Sequence, residues 1–109
     1  MNYRVIITRR AERDMQNAAA WWAKEHSREQ ADRWLSGFDE CLRSLGQTPM
    51  RCPLAAENDL VQFETRELHY GAGRRPTHRA IFSIAEELVL VLAVRHSAQD
   101  RLRPDDFSI

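Results

Sequence analysis

The sequence predicts an α+β domain in which two helices pack on one face of an antiparallel sheet. Two observations carry this prediction. Two stretches near the N-terminus repeat apolar residues at helical spacing, and three later stretches are rich in β-branched and aromatic residues. Helices that precede a run of strands are typical of α+β architecture. The 109 residues are predicted to form one domain, residues 1–109, with a tail over residues 103–109 that is expected to fray.

Residues 77–96 are predicted to form a hairpin at the centre of the sheet. They read THRAIFSI, a short acidic spacer and LVLVLAVRH, so both strands are apolar on both faces. Such strands need cover, which the upstream helices offer. Polar residues stand at the open end of the hairpin: His78 and Arg79 on one strand, and Arg95 and His96 on the other. Because hairpin ends lie side by side, the two cations and two imidazoles are expected to cluster there.

The two helices follow from capping signals and periodicity. After a short strand over residues 3–7, Thr8 is placed to cap a first helix that ends near residues 25–26. Ser27 and Gln30 form a capping box for a second helix, which Gly46 ends. The predicted apolar stripes are Ala11, Met15, Ala18 and Trp22 in the first helix and Ala31, Trp34, Leu35, Phe38, Leu42 and Leu45 in the second.

Trp21 stands at the margin of the first stripe. It packs in the core or forms a docking surface for a partner, and core packing is the favoured interpretation.

The segments around the hairpin complete the prediction. Residues 47–62 read as a long loop, with a short strand near residues 60–63, and residues 66–70 (RELHY) read as a further strand. A glycine and proline turn over residues 71–76 exposes two arginines. The last three strands are expected to pair antiparallel in sequence order, whereas the edge that the first strand joins stays open. In the tail, two apolar residues are candidate anchors, Leu102 and Phe107.

Composition and charge limit the function classes. The formal net charge is zero, which argues against a protein coated in basic charge. Residues 66–103 nevertheless hold seven arginines and three histidines against four acidic residues. Neither cysteine has metal-ligand spacing, so no metal and no cofactor is predicted. The sequence has no membrane-length apolar run and no signal-peptide pattern, so a cytoplasmic location without membrane contact is expected.

The ordered set of segments resembles the RelE/ParE superfamily of toxins from type II toxin-antitoxin systems, often labelled plasmid stabilisation proteins. The opening YRVIITRRAERDM, the two helices, RELHYG, HRAIFSI and VLVLAVRH carry the resemblance over residues 3–102. It implies a small sheet with an N-terminal helical hairpin, a toxin that inhibits growth when free, and a cognate antitoxin that wraps a segment over it. A toxin-antitoxin hetero-oligomer is among the expected assemblies.

The superfamily has two branches with different chemistry. RelE-like members cut messenger RNA on the ribosome with basic side chains and, commonly, a tyrosine or histidine just past the last strand. In this sequence Arg79 matches the arginine of the family's central strand, but Ser97 and Ala98 fall where RNA-cutting members place those catalytic residues. No tyrosine follows Tyr70. The resemblance therefore favours the ParE-like branch, whose members are associated with poisoning DNA gyrase by binding it.

Three functions are carried forward. The favoured one is a gyrase-binding toxin that a cognate antitoxin neutralises. The second is a ribosome-dependent endoribonuclease in which Arg79 and Arg95 clamp phosphate and His96 transfers a proton. The third is a non-toxic protein-binding remnant of the fold. The candidate target-binding or anion-binding residues are Arg66, Arg74, Arg75, His78, Arg79 and Arg95.

A structural role for the same residues is equally compatible with the sequence. Arg79 and Arg95 would then flank the sheet and pair with Glu67 or Glu86. The two arginines share a face of the hairpin only if its reversal leaves an odd number of residues unpaired, and the sequence leaves this register open.

Overall fold

Four strands form one sheet in the computed structural model, and two helices pack on one of its faces. The structure describes residues 2–71, 76–97 and 102–103. The α+β class predicted from the sequence is confirmed, and no helix in the described ranges combines the length and apolar character needed to cross a membrane. The elements are β1 (Arg4–Ile7), α1 (Arg9–Glu25), α2 (Arg28–Arg43), β2 (Thr65–Tyr70), β3 (His78–Ala85) and β4 (Leu88–His96).

The strand order is β1-β4-β3-β2, so the predicted hairpin of β3 and β4 is central. Strands β2, β3 and β4 pair antiparallel in sequence order, as predicted. Strand β1 lies parallel to β4, from Arg4 beside Leu88 to Ile7 beside Val91. Beyond Val91 the outer edge of β4 faces α1 instead of a strand. There the Asp14 carboxylate accepts a hydrogen bond from the Val94 backbone N–H at 3.0 Å.

The main core lies between the helices and the sheet. In α1 the buried line runs through Ala11, Met15 and Ala19, whereas Ala18 and Trp22 of the predicted stripe are only half-buried. The predicted stripe of the second helix is buried except at Leu35. The residues of α1 that face the centre of the sheet lie four apart along the helix. Ala18 lies to one side of this buried line and therefore faces the margin of the sheet.

The long loop after α2 covers the edge of β2. The prediction of a short strand near residues 60–63 is wrong. A 3-10 turn spans Ala56–Leu60, and bends follow it over residues 61–63. An isolated bridge joins Leu54 to Arg66 instead, and the Glu67 N–H donates to the Pro53 carbonyl at 3.0 Å. This pairing protects part of an edge strand that would otherwise offer free backbone groups to another chain.

Ser27 caps α2 as the sequence predicts. Its Oγ accepts a hydrogen bond from the Gln30 N–H at 3.1 Å. Replacing Ser27 with alanine leaves that N–H without a side-chain acceptor, and we expect the free energy of unfolding to fall by about 1 kcal/mol in urea titrations. Ser36→Ala, at an exposed position within α2, is the matched control and is expected to leave stability within about 0.5 kcal/mol of the wild type.

Candidate functional site

A one-residue bulge sets which side chains share a face at the open end of the hairpin. The reversal leaves two residues unpaired, 86 and 87, which by itself would place Arg79 and Arg95 on opposite faces. The register shifts between Ile81 and Phe82, where β4 has Leu92 as an additional residue. Arg79 therefore pairs directly with Arg95, and the two arginines are assigned to the same face.

The four polar residues at this end do not form the single cluster that the sequence led us to expect. His78 pairs with His96, and their rings contact each other with centroids 5.1 Å apart. The His78 ring also meets Trp34 of α2, at 5.0 Å, so the imidazoles lie on the helix side of the sheet. Because neighbouring residues of a strand point to opposite faces, the register assigns the arginines to the other side.

Arg79 is held in a buried ion pair. Its Nη1 and Nη2 donate to the two Glu57 carboxylate oxygens at 2.8 and 2.6 Å. The Glu57 side chain is fully buried, the Arg79 side chain is 8% exposed, and the Leu102 N–H donates to the same carboxylate at 2.7 Å. Although burial alone would raise the pKa of Glu57, the hydrogen bonds from Arg79 and Leu102 hold that pKa below its usual value. Both groups are therefore charged and matched to each other.

This pairing differs from the partners considered from the sequence. Glu67 lies 3.7 Å from Arg79 as a secondary partner, but the main partner is Glu57. No local pattern points to Glu57, because it stands in an irregular loop 22 residues before Arg79. Because the Arg79 guanidinium is hydrogen-bonded to the buried Glu57 carboxylate, it is already paired with an anion of the protein itself.

The other candidate cations differ in accessibility. Arg66 donates to the Cys52 carbonyl at 2.6 Å and pairs with Glu64 at 2.6 Å, so it fastens the long loop to β2. Arg95 is half-buried, and its Nε has no hydrogen-bond partner. Two candidates lie outside the described residues, Arg74 and Arg75.

His78 is neutral at physiological pH. Burial lowers its pKa to about 4, and the neighbouring His96 adds to this shift. One ring nitrogen, Nδ1, lies 2.9 Å from the Thr77 hydroxyl. A neutral ring offers a hydrogen-bond donor or acceptor but no positive charge, so the expected anion-binding role of His78 does not fit its surroundings.

A cavity of about 530 Å³ opens on the helix side, between α1 and the ends of β3 and β4. We call it the aromatic groove and define it by Asn17, Trp21, Trp22, His78 and His96; Arg10 and Arg95 also border it. Trp21 is 54% exposed, so the interpretation that placed it in the core is wrong.

The aromatic groove has no local sequence signature. It is formed by α1 and by the β3–β4 hairpin, which lies far from α1 in the chain. The weak signal in the sequence is the marginal position of Trp21 beside the apolar stripe.

Comparisons with known proteins agree with this architecture. The family model for the ParE toxin of the type II toxin-antitoxin system, parDE, matches residues 5–101. A structure of the chromosomal ParDE toxin-antitoxin system from P. aeruginosa is similar, with 17% identity, coverage of 86% of this chain and 95% of that chain, and a TM-score of 0.68. No curated protein matches the sequence significantly.

A second solved structure extends the likeness to the other branch of the superfamily. The RelBE2 toxin-antitoxin complex from Mycobacterium tuberculosis shares 25% identity, with coverage of 88% of this chain and 99% of that chain and a TM-score of 0.56. The family model covers both helices, strands β2 to β4 and all of β1 except Arg4, which confirms the superfamily resemblance. The chain therefore belongs to the ParE toxin family of type II toxin-antitoxin systems.

Proposed function

We propose that this toxin arrests growth by binding DNA gyrase and that a cognate antitoxin neutralises it by binding the toxin. Membership of the ParE toxin family supports a toxin of the type II class. The observation that favours binding over RNA cleavage is the buried pair of Arg79 and Glu57. It removes from use Arg79, one of the two cations proposed for a phosphate clamp and the one that matches the family's central-strand arginine.

The chemistry of RNA cleavage explains why this observation matters. A ribonuclease needs a base for the ribose hydroxyl, cations for the phosphate and an acid for the leaving oxygen within one cleft. Here the register assigns the imidazoles and Arg79 to opposite faces of the sheet, although Arg95 borders the groove that the imidazoles line. Arg79 is already neutralised by Glu57. These positions are compatible with a surface that binds a protein target without catalysis.

One observation keeps the endoribonuclease as the second candidate. His96 is exposed and contacts the neutral ring of His78 beside the aromatic groove. Imidazole groups next to a cavity can transfer protons near neutral pH, so this pair favours the second candidate. The substitution His96→Ala distinguishes the two functions. It removes the imidazole that would transfer a proton in an endoribonuclease, whereas gyrase binding requires no proton transfer.

The test is inducible expression in a bacterial host, together with an assay of the purified toxin on gyrase. We expect growth arrest, loss of plasmid supercoiling and transcripts of unchanged length, and we expect His96→Ala to retain all three effects. Codon-linked transcript cuts that vanish in His96→Ala would instead establish the endoribonuclease. Harmless expression of a chain shown to be folded would contradict both candidates and leave the non-toxic remnant.

Co-expression tests neutralisation separately. The product of a short reading frame beside the toxin frame is expected to restore growth and to co-purify with this chain. Arrest that persists with such a neighbour present at equal or higher level would contradict its role as antitoxin.

A further inference from the structure

We infer that the aromatic groove receives a segment of the antitoxin that presents an apolar side chain next to an Asp or Glu carboxylate. This inference rests on the proposed neutralisation by an antitoxin, and it adds the place and the chemistry of the contact. Three features support it: an exposed tryptophan beside a cavity, buried donors without acceptors, and the blocked edge of β4.

The apolar part of the segment follows from the walls of the groove. Trp21 leaves 54% of its surface exposed, and Ala18, Trp22 and Val94 also line the cavity. A volume of about 530 Å³ accommodates a large side chain and part of its backbone. Exposed tryptophan next to a pocket is typical of residues that dominate binding energy at protein interfaces.

The carboxylate follows from hydrogen-bond donors that lack acceptors. Trp22 Nε1 and Trp34 Nε1 are buried and have no hydrogen-bond partner. Trp22 also borders a second cavity of about 280 Å³, which Trp34 and Arg33 line with it. Because a buried donor without an acceptor destabilises the free protein, a partner that brings an acceptor oxygen to it is favoured on binding.

The carboxylate at the groove is already engaged. Asp14 accepts from the Val94 N–H at 3.0 Å and lies 3.5 Å from the Arg10 guanidinium. The exposed Arg33 adds a cation beside the two indole donors at the second cavity. A segment that carries a carboxylate fits these groups, whereas a lysine-rich segment does not.

The geometry also favours docking of side chains over addition of a strand. The Val94 N–H on the open edge of β4 is the group that an added strand would need, and Asp14 blocks it.

The first test fills the groove without touching the core. Asn17 is exposed and lines the cavity, so Asn17→Trp is expected to occupy it and to weaken binding of the antitoxin by about tenfold or more. Ala23→Trp is the matched control, since Ala23 is also exposed on α1 but points away from the cavity. It is expected to change Kd by less than about threefold. The probe is the co-purified neighbour protein, titrated calorimetrically into each variant.

A second pair of variants tests the carboxylate. Arg33→Glu places a negative charge beside the two indole donors and is expected to weaken binding by about tenfold. Arg9→Glu makes the same change at an exposed position at the start of α1 and is expected to leave Kd within about threefold of the wild type. Equal Kd values for Arg33→Glu and wild type would overturn the carboxylate contact.

The outcomes distinguish this inference from the proposed function. Tight binding by both wild type and Asn17→Trp would overturn docking in the groove and leave neutralisation intact. Equal weakening by Asn17→Trp and Ala23→Trp would also overturn it. Absence of binding by a folded wild-type chain would instead contradict the proposed neutralisation. Circular dichroism and thermal melts show that each variant is folded, and Trp21→Ala, which removes an exposed side chain, repeats the test by truncation.

Discussion

Replacing Glu57 with alanine is expected to lower the free energy of unfolding by about 3–5 kcal/mol. The substitution leaves the Arg79 guanidinium charged and 8% exposed, without its two short hydrogen bonds. It also removes the acceptor of the Leu102 N–H. The side chain of Leu102 packs with Ala55, Ile81 and Ala93 on the face of the sheet away from the helices. Urea unfolding followed by circular dichroism measures the loss.

Two controls make this expectation specific. Asp39→Ala breaks an exposed ion pair with Arg43, whose atoms are 3.8 Å apart, and is expected to cost less than about 0.5 kcal/mol. The double substitution Glu57→Leu with Arg79→Met replaces both charges by apolar groups and is expected to recover much of the stability lost in Glu57→Ala. A loss below about 1 kcal/mol for Glu57→Ala would contradict the role assigned to the buried pair.

Lowering the pH from 7 to 5 is expected to reduce the free energy of unfolding by about 2 kcal/mol through His78 alone. The pKa of this imidazole falls from the ordinary 6.5 to about 4 in the folded protein. The unfolded chain therefore binds a proton in this window that the folded chain does not. Stability from this group is complete above pH 6.5 and is lost as the pH falls toward 4. The sign follows from proton linkage, since a proton bound only by the unfolded state favours unfolding.

His78→Phe identifies the source of this pH dependence. Phenylalanine keeps a planar ring against Trp34 but has no proton to bind, so the dependence between pH 7 and pH 5 is expected to fall by about 2 kcal/mol. Urea titrations at both pH values, for both proteins, measure the difference. An unchanged dependence in His78→Phe would assign the effect to other groups.

The sequence predicts the elements that depend on local signals. Ser27 and the apolar stripes set the helices, and the dense β-branched runs set the central hairpin, because capping and periodicity act over a few residues. The placement of β1 beside β4 stayed open, since it depends on packing between segments about 80 residues apart.

The site was less predictable than the fold because its decisive contacts are long-range. Arg79 was correctly singled out, but its carboxylate partner stands in a loop without a regular pattern. Trp21 was expected in the core although it stood beside the apolar stripe, because large aromatic side chains usually pack in cores. The aromatic groove arises from α1, β3 and β4 together and so has no linear motif.

The additional residue at Leu92 has a consequence for comparing relatives. If β4 kept Leu92 but paired with β3 without the bulge, the chemistry of the two faces would be exchanged, with Arg95 toward the helices and His96 outward. Loss of that one residue would instead remove the bulge and leave Arg95 opposite Arg79. In this strand the presence of the bulge, more than overall identity, therefore decides which groups a relative presents to its partners.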